Sequence, residues 1–97
     1  MNEAIMNAIK QRHVLTLVYH GHPRRVEPHC YGVTTAGNEA LRGYQTQGGS
    51  RTGEVPGWKM MLLREVHQLA DTGEKFATPR PAYQRDEKGM KTIHAQL

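Results

Sequence analysis

Cations and aromatic rings, the side chains that together can bind a phosphorylated ligand, recur along this chain. Cations bind phosphate oxygens and aromatic faces stack on bases, so residues of both kinds on neighbouring strands can form a binding site. The candidate ligand-binding residues are Tyr19, Arg24, Arg42, Tyr44, Trp58 and Lys59. The alternative is that Tyr19 and Trp58 fill the core while the cations are only solvated, because aromatic residues usually serve packing.

A glycine-rich polar segment, residues 48–57, leads into the only tryptophan of the chain. Connections in small domains are usually about 4–6 residues long, so a longer one indicates a functional or mobile loop. Backbone N–H groups could be presented to a phosphate by Gly48, Gly49, Ser50 and Gly53. Because the lysine and hydroxyl of a phosphate-binding motif are not at their fixed spacing, a flexible hairpin connection is the favoured interpretation.

The charge balance favours an anionic partner. The 97 residues include 13 Lys and Arg against 9 Asp and Glu, a formal net charge of +4. Nucleic acid is the commonest anionic partner of a small basic domain, although a lysine-rich soluble surface would give the same balance. The length allows a single domain, and a hydrophobic content of 37% predicts a thin core.

Metal and catalytic chemistry are not indicated by the spacing of the reactive residues. Among the six histidines, His20, His22 and His29 are close in sequence to Cys30, but they do not match paired zinc-ligand spacings. A single cysteine in a strand is usually a small buried hydrophobe. The acidic residues are scattered, so no paired-carboxylate site is visible. We therefore expect no metal, no cofactor and no enzymatic activity.

The lone cysteine also fits a reducing compartment. No segment reaches the roughly 20 apolar residues of a membrane span, and residues 1–4 lack the basic start and apolar core of a signal peptide. The sequence therefore predicts a cytoplasmic protein with no membrane partner.

The elements that position these residues are predicted from hydrophobic periodicity. Ile5 and Ile9 are at helical spacing and Asn2 can act as the N-cap, so residues 2–12 are predicted to form an amphipathic helix. After Arg12 the pattern changes to β-branched and aromatic residues, which favour strands. Strands are predicted over residues 13–19, 24–33, 40–46, 58–63 and 66–70.

Two of the predicted strands contain residues that bend them. Pro28 cannot donate a ladder hydrogen bond, and Gly43 in a strand interior often marks a bulge or sharp bend of the kind small barrels need. Short strands at this regular spacing predict a mainly β (α+β) fold, an antiparallel barrel of about five strands with one N-terminal helix. The predicted core consists of Ile5, Ile9, Leu15, Leu17, Val26, Leu41, Met61 and Leu63.

The predicted barrel domain covers residues 1–78, and an extended C-terminal tail covers residues 79–97. The tail contains prolines, a glycine and a run of mixed charge, which argue against a long regular element. Residues 90–95 could add a terminal strand.

The order of these elements and several short motifs resemble the WYL domain. The resemblance covers roughly residues 4–70, and its most specific motifs are Glu27-Pro28-His29-Cys30-Tyr31-Gly32, Leu41-Arg42-Gly43-Tyr44-Gln45 and Pro56-Gly57-Trp58-Lys59. The chain is similar in particular to short, freestanding bacterial proteins related to that domain. The resemblance implies a small Sm-like β-barrel with an N-terminal helix, a fold often appended to bacterial transcription regulators.

The WYL family is thought to sense nucleic-acid or nucleotide ligands through basic and polar residues on the barrel, and Arg24 and Lys59 match such positions. The tripeptide that names the family is replaced here by Glu39-Ala40-Leu41, and Glu65 stands where an arginine is usual. The resemblance implies a non-enzymatic regulatory or sensing module that binds nucleic acid or a nucleotide-like anion. The alternative is an interaction or dimerisation module that pairs with another copy or a regulatory protein through an exposed strand edge.

Overall fold

The computed structural model describes residues 2–50 and 53–97, and in this part of the chain one N-terminal helix precedes six strands. The elements are α1 (Glu3–Gln11), β1 (His13–Tyr19), β2 (His22–Thr34), β3 (Glu39–Gly48), β4 (Gly57–Leu62), β5 (Val66–Lys75) and β6 (Met90–Gln96). A 3-10 turn, Leu63–Glu65, connects β4 to β5. Within the described residues, no helix is long and apolar enough to cross a membrane.

Hydrogen bonds from capping residues satisfy backbone groups at both ends of helix α1. Asn2 Oδ1 accepts a hydrogen bond from Ile5 N at 3.0 Å, which confirms Asn2 as the N-cap. Arg12 ends the helix with a left-handed φ of 58°, and its N–H donates to the carbonyls of Ala8 and Ile9. The buried face consists of Ile5, Ala8 and Ile9, so the predicted amphipathic helix is confirmed.

The strands form one antiparallel sheet with the order β4-β3-β2-β1-β5, and β6 pairs with the second half of β2. In residues 2–50 and 53–97, β4 pairs only with β3 and β5 only with β1, so the sheet is not closed. The mainly β fold with one N-terminal helix is confirmed, whereas closure into a barrel is not seen in the pairing. The C-terminal strand β6 lies where the sequence favours an additional strand.

The longest strand, β2, has a register shift opposite Gly43. Its pairing with β3 shifts between Pro28 and Cys30, and Gly43 is the partner of Pro28. A Cβ atom on Gly43 would collide with Val26 Cγ1 and would lie 3.2 Å from the carbonyl oxygen of Glu27. The irregularity therefore lies where Pro28 and Gly43 predict it, and glycine is needed because β2 approaches too closely for a side chain.

Strand β5 is longer than its sequence indicates. The prediction ended it at residue 70, before Asp71-Thr72-Gly73, but the strand continues to Lys75. Thr72 Oγ1 donates to the carbonyl of Val14 at 2.7 Å, and the Asp71 carboxylate lies 3.0 Å from His13 Nδ1. The predicted end is wrong because these bonds to β1 outweigh the local turn preference of the residues.

The main core lies between α1 and one face of the sheet. Its buried residues are Ile5, Ala8, Ile9, Leu15, Leu17, Tyr19, Val26, Tyr31, Leu41 and Met61. The predicted core is therefore confirmed except for Leu63, which lies in the 3-10 turn and is only partly buried. A smaller cluster of Cys30, Ala40 and Met90 is packed where β6 joins the sheet.

Candidate ligand-binding site

The sheet has two faces that carry different side chains. Cross-strand partners share a face, so Leu41 and its partner Met61 lie together on the face that packs against α1, here called the inner face. Tyr44 and its partner Trp58 lie on the opposite, outer face. Residues 76–89, here called the C-terminal segment, cross the outer face before β6 begins.

The structure divides the candidate residues between these faces. On the inner face lie Tyr19, Arg24 and Lys59. On the outer face lie Arg42, Tyr44 and Trp58. Neighbouring residues of a strand point to opposite faces, which separates Trp58 from Lys59. The candidates therefore form two groups rather than one cluster.

Arg24 is buried on the inner face against neutral groups. The residue is 5% exposed, and its Nη1 donates to Gln45 Oε1 at 3.1 Å while Nη2 donates to the Tyr19 carbonyl at 3.0 Å. The guanidinium carbon lies 5.2 Å from the centroid of the Tyr19 ring, within the range of a cation–π contact. Burial lowers the pKa of Arg24 because the charged form loses its hydration.

The charge of Arg24 has no counter-charge in the described part of the chain. In the described residues, each carboxylate that forms an ion pair contacts a basic side chain other than Arg24. The Nε atom of Arg24 is buried and makes no hydrogen bond. An uncompensated buried charge is costly, and it leaves a positive potential at this point of the inner face.

Gln45 is a polar residue of this site that the sequence reasoning missed. It is fully buried, accepts from Arg24, and donates through Nε2 to the carbonyls of Gln47 at 3.2 Å and Gly49 at 2.9 Å. Gln45 therefore connects the guanidinium to the glycine-rich segment. The available signal was its position, because it follows Leu41 and Gly43 at the strand spacing of inner-face residues.

Lys59 reaches the same glycine-rich segment from β4. Its Nζ donates to Ser50 Oγ at 3.1 Å. Gly48 and Gly49 precede Ser50, so cationic side chains from β2 and β4 approach one short stretch of backbone. The residues Tyr19, Arg24, Gln45 and Lys59 are here called the inner cationic group. Part of the predicted loop, Arg51 and Thr52, lies outside the described residues.

Tyr44 on the outer face is covered by a cation from the C-terminal segment. The guanidinium carbon of Arg80 lies 4.7 Å from the Tyr44 ring centroid. Arg80 also donates from Nε and Nη2 to the Glu27 carboxylate, at 2.6 Å and 2.9 Å. Because Glu27 is 6% exposed, this bidentate pair is largely removed from water on its acidic side. The contact attaches the segment to the sheet.

His29 is the second attachment point of the C-terminal segment. Its Nδ1 donates to the Glu27 carbonyl at 2.8 Å and its Nε2 accepts from Arg80 N at 3.1 Å, so the hydrogen bonds select the neutral ring. Burial lowers the pKa of His29 and outweighs the opposing effects of the Glu27 carbonyl and carboxylate. The ring also packs on Phe76 at 5.6 Å between centroids.

Trp58 and Arg42 border an open pocket on the outer face. Trp58 Nε1 donates to the Pro81 carbonyl at 3.1 Å, and Arg42 Nη2 donates to Glu87 Oε1 at 2.8 Å. The pocket has a volume of about 260 Å³ and is lined by Arg42, Trp58, Ala82, Tyr83, Gln84 and Glu87. The C-terminal segment thus contributes one wall of a pocket whose other wall is β3 and β4.

Cys30, the single cysteine of the chain, is a free thiol that lies buried in the structure. Burial raises the pKa of the Cys30 thiol to about 11, so the thiol stays protonated and is a poor nucleophile. Within the described residues, no group of three or more histidine, cysteine, aspartate or glutamate side chains is placed to hold a metal ion.

Comparison of this chain with protein-family models, with curated proteins and with solved structures finds no match.

Proposed function

We propose that this chain is a non-enzymatic regulatory or sensing module that binds nucleic acid or a nucleotide-like anion through the inner cationic group. The observation that carries the proposal is the burial of Arg24 among neutral partners. Its Nη atoms are engaged by Gln45 and Tyr19, while its charge lacks a counter-charge within residues 2–50 and 53–97. An anion beside Arg24 and Lys59 would supply the counter-charge that Arg24 lacks among the described residues.

We further propose that the sheet is an Sm-like barrel of the WYL type. The strand order β4-β3-β2-β1-β5 places β4 and β5 at the two ends of the sheet, yet only the turn Leu63–Glu65 separates them in sequence. Tyr19 Oη accepts from Leu62 N at 3.1 Å, which joins the end of β4 to β1 without strand pairing. The short connection, the Tyr19–Leu62 hydrogen bond and the preceding helix support the resemblance.

The expected binding is electrostatic and modest. Two cations can contact few phosphates, so few counterions are released and the affinity depends only moderately on salt. The net charge of +4 adds a long-range attraction that is not specific to the site. A test of the proposal must therefore separate a local contact from the overall charge.

The test is fluorescence anisotropy of labelled single-stranded DNA and RNA oligomers across a salt series, with Lys59→Gln compared with Lys10→Gln. Lys10 is exposed on α1, so both variants lose the same charge but only one loses it at the site. We expect Lys59→Gln to reduce the slope of log affinity against log salt by about one unit, and Lys10→Gln to leave it nearly unchanged. Equal slopes for the two variants, or no binding by the wild type at low salt, would contradict the proposal.

A second candidate function is strand-edge association with another copy or a regulatory protein. In the described part of the chain, the outer edges of β4 and β5 are unpaired, and such edges accept an additional strand. Hydrogen exchange at two protein concentrations tests this idea, together with sedimentation velocity. Association predicts greater amide protection over residues 57–62 and 66–75 at the higher concentration, and concentration-independent exchange of a monomer would argue against it.

A further inference from the structure

Three side chains form a row across the outer face where the C-terminal segment lies on it. Glu27 on β2 pairs with Tyr44 on β3, and Tyr44 pairs with Trp58 on β4, so a carboxylate and two rings stand side by side. Together they contact two neighbouring residues of the segment, Arg80 and Pro81. This set, here called the recognition row, therefore presents an anion, a ring face and an N–H donor to an extended chain.

We propose that the recognition row binds an extended arginine-proline peptide of a partner protein, and that the C-terminal segment occupies it as an internal competitor. The occupying stretch is Thr78-Pro79-Arg80-Pro81-Ala82. Peptide-binding domains read their ligands by the same means, a charged side chain in a complementary site and main-chain groups of a stretch that prolines keep extended. The site uses the outer face and is independent of the inner cationic group.

Glu27 makes the recognition row selective for a guanidinium. The residue is 6% exposed, and its two carboxylate oxygens accept from Arg80 Nε at 2.6 Å and Nη2 at 2.9 Å. The same guanidinium lies over the Tyr44 ring, 4.7 Å from its centroid, and a planar cation suits both contacts better than an ammonium does. A buried carboxylate without a partner is costly, so another guanidinium is favoured there whenever Arg80 leaves.

Main-chain contacts on both sides of the guanidinium fix the direction of the bound chain. Arg80 N donates to His29 Nε2 at 3.1 Å, and the carbonyl of the next residue, Pro81, accepts from Trp58 Nε1 at 3.1 Å. The prolines before and after the arginine restrict the free chain to few conformations, so it loses little freedom on binding. The site therefore recognises an arginine between two prolines.

The internal occupant is held in a strained conformation. Tyr83 N donates to the Arg80 carbonyl at 3.2 Å and closes a turn in which Ala82 has a φ of 71°. This left-handed conformation suits glycine and is unfavourable for alanine, whose Cβ crowds the following carbonyl. A second copy of this chain would bring the same alanine. The occupant that competes best is therefore a partner's Pro-Arg-Pro-Gly peptide, which avoids the strain.

The residues that must leave the recognition row are exposed and lie outside the sheet. In the described chain, residues 78–82 pair with no strand, and all are exposed except Arg80, whose side chain is 40% exposed. Phe76 and Tyr83 hold the segment on either side, one by burial of its ring and the other by hydrogen bonds of its hydroxyl to main-chain oxygens. Because a tethered competitor acts at an effective concentration of the order of millimolar, we expect the wild type to bind the peptide weakly.

The test is fluorescence anisotropy of a labelled peptide amide, Thr-Pro-Arg-Pro-Gly, titrated with the full chain. Arg80→Ala removes the guanidinium of the internal competitor and leaves the recognition row intact, so we expect it to bind about tenfold more tightly than the wild type. Arg85→Ala is the matched control, because Arg85 belongs to the same segment but donates to the main-chain oxygen of Leu97. This control should bind like the wild type.

Variant peptides test each recognition contact on the same protein, Arg80→Ala. Lysine in place of the arginine should weaken binding about tenfold, because the bidentate pair with Glu27 is lost. Alanine in place of the glycine should weaken it about fivefold, because the strain of the left-handed turn returns. Arg80→Ala also leaves Glu27 unpaired, so its denaturation midpoint is measured in parallel. The arginine peptide should raise that midpoint, whereas a peptide with alanine for arginine should not.

Several results would overturn the proposal. One is the absence both of peptide binding by Arg80→Ala and of any rise in its denaturation midpoint, and another is equal binding of the arginine and lysine peptides. Wild-type dimers that dissociate when the peptide is added, or equal binding of the glycine and alanine peptides, would identify a second copy rather than a partner protein as the occupant. Lys59→Gln should not change peptide binding, so a failure here and a failure at the inner cationic group are distinguishable.

Discussion

The two faces of the sheet hold their arginines in opposite ways. On the outer face, Arg42 is bonded to Glu87 at 2.8 Å and Arg80 to Glu27 at 2.6 Å, so each positive charge is matched by a carboxylate. On the inner face, Arg24 is surrounded by neutral acceptors and an aromatic ring. Arg42 and Arg80 help to attach the C-terminal segment to the sheet through their carboxylate partners. Arg24 forms no ion pair with the described residues, so its positive charge is not neutralised.

This difference shows why exposure alone is a poor guide to function. Arg42 is more exposed than Arg24, yet its guanidinium is bonded to a carboxylate, and an incoming anion would have to compete with Glu87. Arg24 is buried, yet its positive potential is not cancelled by a neighbour in the described residues. The partners of a charge therefore say more about its availability than its solvent-exposed area does.

The largest expected effect is the loss of stability caused by Gly43→Val, which crowds groups on both faces of the sheet. Gly43 lies where β2 closely approaches β3, and a valine side chain there would collide with Val26 on the inner side and crowd the Glu27 backbone. We expect Gly43→Val to lower the free energy of unfolding by about 1–3 kcal/mol through overpacking and strain. Urea denaturation followed by circular dichroism measures the change.

The matched control for this prediction is Gly89→Val. The nearest atom to a Cβ at Gly89 is Glu87 Oε1 at 3.5 Å, an ordinary contact, and Gly89 lies just outside the sheet. If Gly43→Val lowers the free energy of unfolding no more than Gly89→Val does, the close approach of β2 does not exclude a side chain at Gly43. That result would also remove the reason for treating Gly43 as the bend between the faces.

Most of the fold could be predicted from local patterns. The helical spacing of Ile5 and Ile9, the cap at Asn2 and the strand-like run after Arg12 depend on neighbours in sequence, and the structure places these elements as expected. The length of β5 could not be predicted in this way. Its end depends on bonds between Thr72 and β1, which are 58 residues apart in sequence.

The candidate site was harder to predict from the sequence, because strand register decides how its residues are divided between the two faces of the sheet. Trp58 and Lys59 are adjacent in the sequence, and only their pairing partners on β3 reveal that they face opposite sides. The contact between Tyr83 and His29 gave no signal in the sequence, since the two residues are 54 residues apart and meet only when the C-terminal segment crosses the outer face. The neutral surroundings of Arg24 likewise required the position of Gln45.

A pH titration tests whether the outer face depends on a neutral His29. Burial lowers the pKa of His29 below its ordinary value of 6.5. The unfolded chain then binds a proton more readily than the folded chain, so this contribution to stability is complete above pH 6.5 and is lost as the pH falls through the folded pKa. A proton on Nε2 would also face Arg80 N, which needs an acceptor. We therefore expect stability to fall below pH 6.5.

The variant His29→Gln isolates this contribution. A glutamine is neutral at every pH in the titration and can both donate and accept, so the loss of stability between pH 6.5 and 5 should become smaller. The control is His67→Gln, because His67 is an exposed histidine on β5, and this variant should retain the wild-type dependence. Denaturation midpoints at several pH values measure both, and an unchanged slope in His29→Gln would contradict the assignment.

The smallest expected effect concerns the ion pair between Arg42 and Glu87 on the outer face. Their side chains are 28% and 21% exposed, so water and salt screen part of the attraction. A double-mutant cycle with Arg42→Gln and Glu87→Gln should give a coupling energy of about 0.5–1 kcal/mol at low salt. The same cycle on Arg25 and Glu74, where Glu74 is 64% exposed, should give a smaller coupling energy.

Equal coupling energies in the two cycles would mean that the C-terminal segment is not attached more firmly by partly buried charges than by exposed ones. A larger coupling for Arg42 and Glu87 that declines with added salt would show that the partly buried ion pair is the stronger of the two and that its strength is electrostatic.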